Sequence, residues 1–163
     1  MSAILESLKG RELRQFDVGH IVIQQGDKTN CLYILVTGSI EVLKDDVRVA
    51  VAAQPGLVFG EMAVLLAGEH TATVRAVTQS TFYIVENPKE FLQESPAMCL
   101  HLCELMARRL DSLNKYLVDV KQQFAGHDHL GMVDEVLEAL LHRQPRDRVR
   151  PNESTIRHGE LPG

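Results

Sequence analysis

Between Leu13 and Glu86 the apolar runs are short, and Gly19, Gly26, Gly38, Asp45-Asp46 and Pro55-Gly56 punctuate them. Short runs of apolar and β-branched residues bounded by such breakers are the signature of strands. The pattern predicts strands at Glu12–Phe16, His20–Gln24, Cys31–Val36, Ser39–Leu43, Val47–Ala52, Leu57–Phe59, Thr71–Val77 and Phe82–Val85. Short strands at such close spacing predict an antiparallel roll, a jelly-roll-like barrel, rather than strand–helix–strand units. Ahead of them, residues 2–9 predict a short helix: Ser2 caps it, Ile4, Leu5 and Leu8 form its apolar side, and Gly10 ends it.

From Asn87 the period changes. Asn87-Pro88 opens a short helix through Leu92, and Ser95 caps a second one with Pro96 at its first position. Along that second helix Cys99, Cys103, Met106, Leu110, Leu113, Leu117, Val120 and Phe124 recur at alternating steps of four and three. This is a heptad seam, and it argues for a helix paired with another helix. A seam packed only on the chain's own barrel is the alternative. It outlasts the expected width of the barrel, which favours a homodimer through residues 99–124. Leu130–His142 predicts a further amphipathic helix, with Met132, Val133, Val136, Leu137, Leu140 and Leu141 apolar. Residues 145–163 are polar, proline-containing and aperiodic, and a disordered tail is expected there. The fold class is therefore α+β, with a main domain over 1–124, a helical extension over 125–144 and a tail over 145–163.

Within this frame residues 58–76 stand out. An apolar pair runs into Gly60, a carboxylate follows at Glu61, and helix formers fill one turn from Met62 to Leu66 before the break at Ala67-Gly68. Strand, glycine, single helical turn, glycine, strand is how a backbone wraps an anion. Glycine lets the main chain approach, and the first N–H groups of a helix have no intrahelical partner.

Composition narrows the classes. The 163 residues carry 17 Lys and Arg against 22 Asp and Glu, so the net charge of −5 offers no electrostatic footprint for nucleic acid. No apolar run approaches the roughly 20 residues of a membrane span. The N-terminus lacks a basic region followed by an apolar block, so no signal peptide is expected. Three cysteines, an odd count without a secretion signal, favour reduced thiols and a cytoplasmic protein.

Phe59-Gly60-Glu61-Met62-Ala63-Val64 and Thr71-Ala72-Thr73-Val74 resemble the phosphate-binding cassette of the cyclic nucleotide-binding domain family. Phe16-Asp17-Val18-Gly19, Gln25-Gly26-Asp27, Leu32-Tyr33-Ile34-Leu35 and Thr37-Gly38-Ser39-Ile40-Glu41-Val42 look like the family's strand-and-turn signatures. Ala107-Arg108-Arg109-Leu110 resembles the start of the dimer helix in its catabolite activator subfamily. The resemblance covers about residues 12–124. It implies a regulatory module, not an enzyme, whose ligand is cAMP or cGMP, with no other cofactor, and which signals through its C-terminal helices to a protein partner. The implied ligand site is Phe59, Gly60, Glu61, Met62, Ala63, His70, Thr71 and Ala72. Glu61 would accept a hydrogen bond from the ribose 2′-hydroxyl, and Gly60, Met62 and Ala63 would offer backbone N–H groups to the phosphate. Thr71 stands where cGMP-selective members place Ser or Thr, as bacterial cAMP receptors also do. Leu113 and Asn114 fall where the activator subfamily has a Thr-Ser pair reaching the purine; only Asn114 can hydrogen-bond a base edge, and it reads equally as a polar flank of the seam. A DNA-binding winged helix needs more residues than follow, so nucleic-acid binding by this chain alone is not expected.

One position departs from the family. His70 stands where the family has an arginine gripping the cyclic phosphate. A guanidinium is planar, permanently charged and bidentate, whereas a neutral imidazole gives one donor and no charge. Losing such a contact costs about 2–5 kcal/mol, roughly 30-fold to several-thousand-fold in affinity. A phosphate beside His70 would favour its protonated form. Two readings stay open: a weakened, acid-favoured clamp, or a ligand-independent dimerisation or scaffold domain with a degenerate cassette. Arg75, on the opposite strand face, reads as a solvated strand residue rather than a substitute.

The plainer readings stand beside these. Glu61 also suits a helix N-terminus for its dipole alone, and Gly60 suits a tight turn that binds nothing. Cys99 and Cys103 have a spacing that could hold a metal but no second convergent pair, and they read as core, as does Cys31. His127-Asp128-His129 reads as a solvated turn rather than a chelate. No nucleophile–base set, carboxylate pair or phosphate loop stands out, so neither a metal nor a catalytic site is expected.

Overall fold

The computed structural model describes residues 3–123 and, beyond them, Val136. The chain divides into two compact units, Met1–Arg109 and Leu110–Gly163. The first opens with α1 (Ala3–Ser7) and continues through β1 (Glu12–Phe16), β2 (Ile21–Ile23), β3 (Leu32–Thr37), β4 (Ile40–Lys44), β5 (Val47–Ala52) and β6 (Val58–Phe59). Then come α2 (Glu61–Leu65), β7 (Thr73–Ala76), β8 (Ser80–Val85), α3 (Pro88–Glu94) and the start of α4 (Pro96–Gln123).

The strands form two antiparallel sheets of four, in the orders β1-β8-β3-β6 and β2-β7-β4-β5. This is the predicted antiparallel roll. Strand β3 shows why its sequence, Leu-Tyr-Ile-Leu-Val, does not alternate: it is covered on both faces. Leu32 and Ile34 join a core with Leu5, Leu8, Phe91, Leu92, Met98 and Leu102 from the helices. Tyr33 and Leu35 join the core between the sheets, with Ile23, Ile40, Phe59, Val74 and Phe82. The β4–β5 hairpin turns at Asp45 and Asp46 (φ 49° and 61°), the left-handed pair that two-residue hairpin loops use. Gln25 pins it, accepting from Asp45 N–H at 2.9 Å and donating to its carboxylate at 2.7 Å.

Several expectations shift. Strand β8 starts at Ser80, because the buried Ser80 hydroxyl donates to Ser39 and Thr78 carbonyls (3.2 and 2.8 Å) and Ser80 pairs with Phe16. Strand β7 starts only at Thr73, where pairing with β4 begins, so Thr71 and Ala72 remain in the preceding bend. The short helix α3 runs past Leu92 to Glu94. The cysteines do not share one fate. Cys99 packs half-buried against the helix-side core, its Sγ 3.0 Å from Leu92 O, whereas Cys103 is exposed, because the barrel-facing stripe of α4 passes through Met98, Leu102 and Leu105 instead. Cys31 lies just before β3 and is half-buried against the inter-sheet core, and burial pushes its thiol pKa up. The proposed seam residues Met106, Leu110 and Leu113 are 38%, 44% and 46% exposed. Ser2, Phe124, His127-Asp128-His129, Leu130–His142 apart from Val136, and residues 145–163 lie outside the described residues.

Candidate functional site

The segment between β6 and β7 is built around Gly60. Its φ is 85°, a left-handed value that a side chain resists. A Cβ there would also stand 2.6 Å from the Cys31 carbonyl oxygen and 3.4 Å from His70 Cε1. Only glycine fits, and the backbone turns sharply into α2. The helix has five residues, and Val64 N–H closes back on Gly60 O at 3.2 Å. The N–H groups of Glu61, Met62 and Ala63 precede the first N–H that an intrahelical carbonyl satisfies.

Glu61 heads this helix and is only 5% exposed. Its carboxylate receives Arg109 Nη1. Arg109 Nη2 also donates to Val58 O at 2.7 Å, and the guanidinium lies 6.0 Å from the Phe59 ring centroid. One side chain of α4 thus ties together the last residues of β6 and the first of α2. The guanidinium is 43% exposed, so water screens the pair in part.

His70 is 4% exposed. Its backbone is fixed on both sides: its N–H donates to Asp27 O at 2.8 Å, and its carbonyl accepts from Gly26 N–H at 2.9 Å. Its Nε2 sits 2.6 Å from the Thr29 hydroxyl oxygen. Burial pushes the imidazole below the usual histidine pKa; the Asp27 and Glu61 carboxylates pull the other way and do not overcome it. His70 is therefore neutral at pH 7.

Between these walls lies a cavity of about 360 Å³, within the range of small-molecule sites. Ile23, Val42, Ala50, Ala52, Leu57 and Val74 make it largely apolar, and Glu61, His70, Thr71 and Arg109 supply polar groups. Phe59, Gly60, Glu61, Met62, Ala63, His70, Thr71 and Ala72 all line it. Asn114 belongs to the second unit and is half-buried. Arg75 points elsewhere and is not simply solvated: its Nε and Nη2 both reach Glu41 Oε1 at 2.7 Å across the β4–β7 pair. Among the described residues no three His, Cys, Asp or Glu side chains converge as a metal site would require.

The sequence did not single out the apolar lining residues for the site, nor two polar ones, Arg109, which was read only as part of a dimer helix, and Thr29. Arg109 carried a readable signal. Met98, Leu102, Leu105 and Arg109 recur at steps of four, three and four, so Arg109 continues the stripe that faces the barrel. Thr29 has none, since it meets His70 across 41 residues of chain.

Comparison with known proteins agrees with this geometry. The family profile of the cyclic nucleotide-binding domain matches residues 13–94. A cAMP-dependent protein kinase regulatory subunit of Yarrowia lipolytica is 36% identical over 74 residues, which cover 45% of this chain and 19% of that protein. The cyclic AMP receptor protein of Thermus thermophilus is 28% identical over 103 residues, covering 60% of this chain and 48% of that protein. The chain matches only a fifth to a half of the length of these relatives. The crystal structure of the Thermus thermophilus catabolite activator protein superposes with a TM-score of 0.59 at 21% identity, over 86% of this chain and 81% of that one; it shares the fold.

Proposed function

The chain belongs to the cyclic nucleotide-binding domain family, and from that premise we propose that its cavity binds cAMP or cGMP and that α4 transmits the occupied state. The observation that carries this reading is the buried Glu61 carboxylate at the cavity wall, held by Arg109 of α4. A ribose 2′-hydroxyl donating to Glu61 would share or displace Arg109, so ligand capture and the position of α4 become one equilibrium. A ligand shifts such an equilibrium only through its different affinity for the two states. The cyclic phosphate then lies over the first N–H groups of α2, beside His70. Thr71 and Ala72 complete the wall, and Asn114 is the candidate for a base edge. The α4 seam pairs with a second copy of the chain, and the downstream target is another protein.

A second reading has its own observation. His70 is uncharged and already engaged by Thr29, which also suits a domain that keeps the fold for ligand-independent dimerisation. Isothermal titration with cAMP and with cGMP at pH 6 separates the two. One saturable site per chain, weakened in Glu61→Gln, supports the sensor. No binding at millimolar nucleotide, by the wild type and by His70→Arg, leaves the dimerisation reading.

A further inference from the structure

We propose that His70 and Thr29 form a proton-carrying clamp, so that the anionic ligand is captured together with one proton taken from solvent onto His70. This rests on the sensor reading and adds to it a charge rule for the site.

His70 is almost fully buried, yet it lines the cavity and stands against Gly60, where the backbone turns into α2. Its backbone is bonded to Gly26 and Asp27 on both sides, which fixes the main chain from which the ring projects. Its partner at Nε2 is a hydroxyl, which both donates and accepts. With His70 neutral and its proton on Nδ1, the Thr29 hydroxyl donates to Nε2; with the proton on Nε2, the ring donates to the hydroxyl. With protonated His70, Nε2–H donates to the same oxygen. Protonation therefore costs no hydrogen bond and no movement. An amide N–H in that place would have held the ring neutral.

The charges around the ring point the same way. Asp27, from the β2–β3 turn, and Glu61, from α2, both favour a proton on His70, and burial outweighs them. Arg109 from α4 is bonded to Glu61 and takes up part of that field. The Lys28–Glu69 pair beside the clamp, at 3.5 Å, is exposed and internally compensated. One further negative charge inside the cavity adds to the two carboxylates in a poorly solvated place, where charge interactions are strongest. A cyclic phosphodiester stays a monoanion across the neutral range, so the proton that titrates belongs to the protein. Where His70 is neutral in the free protein and charged in the complex, affinity falls up to tenfold for each unit rise in pH.

The test is titration of the full chain with cAMP and with cGMP, from pH 6 to pH 8, in buffers of different ionisation enthalpy. The clamp predicts uptake of close to one proton at the lower end of the range and binding at least tenfold tighter at pH 6 than at pH 8. His70→Arg, permanently charged, binds with no proton uptake and a flat profile. Thr29→Val binds more weakly at pH 6 with a shallower profile, and Thr29→Ser restores it. Thermal melts identify any variant that does not fold; the wild-type proton count stands without the variants. Saturable binding with no proton uptake and a flat profile overturns the clamp and leaves the sensor reading intact. No binding of either nucleotide at any pH overturns both.

Discussion

The two sides of the cavity meet one physical problem and answer it differently. Glu61 and His70 are buried alike, 5% and 4% exposed. On the α2 side, the group is paired with a cation that is itself half in water. On the β7 side, the group gives up its charge and shares a hydroxyl. An ion pair holds its geometry at any neutral pH but is costly to leave half-made. A neutral imidazole pair is cheap to hold and remains open to a proton. One wall is therefore a fixed tie to α4, and the other is adjustable.

The comparison breaks most visibly at the ion pair. Arg109→Ala leaves Glu61 buried without its cation and is expected to cost about 1–3 kcal/mol, discounted from a fully buried pair for the exposure of the guanidinium. Adding Glu61→Gln recovers part of the loss. Urea unfolding of the two single variants and the double variant measures this as a coupling energy; strict additivity would dissolve the tie. The smaller effect lies on the other wall. Because burial lowers the folded-state pKa of His70, the unfolded chain binds its proton first as pH falls below about 6.5. Stability is then full above that value and declines through the acid range towards the folded pKa. His70→Gln removes that share, so its urea midpoint between pH 7.5 and pH 5 slopes less than that of the wild type; parallel slopes would contradict the neutral, buried imidazole. The smallest effect on folding is expected outside both walls. Leu110→Glu sits on an exposed position of α4 and should change stability by less than about 0.5 kcal/mol. If the seam pairs two chains, the same variant and Leu117→Glu sediment as monomers while the wild type sediments as a dimer. A monomeric wild type removes the seam from the account.

Much of the roll was legible because its signals are local. Turn residues at Gly19, Gly26, Gly38 and Asp45-Asp46 marked strand ends, and the switch of period after Asn87 marked the helices. Gly60 and Glu61 were legible for the same reason: a strained turn and a helix start are written in adjacent residues. What escaped was contact between distant segments. Arg109 reaches Glu61 across 48 residues, and the heptad seam drew attention to the neighbouring stripe of the same helix. The fate of the two helical cysteines followed from that choice, since Cys99 turned out to border the barrel-facing stripe and Cys103 the exposed one. The neutrality of His70 depends on burial that spacing does not encode.

Strand β3, covered on both faces, has a consequence for timing. Amide protons exchange through local openings whose cost rises with the contacts they break. Strands β3 and β8 form the most protected layer, paired over five positions and buried on both sides. The cavity wall is tied to them over a shorter stretch: β6 pairs with β3 at Tyr33–Phe59 and Ile34–Val58, and Gly56 and Leu57 bond Leu35 beside them. On the exchange clock the segment from Val58 to Leu65 should therefore open well before its support does. Earlier exchange there than in β3 would mean that the site comes apart and re-forms many times within one lifetime of the folded roll.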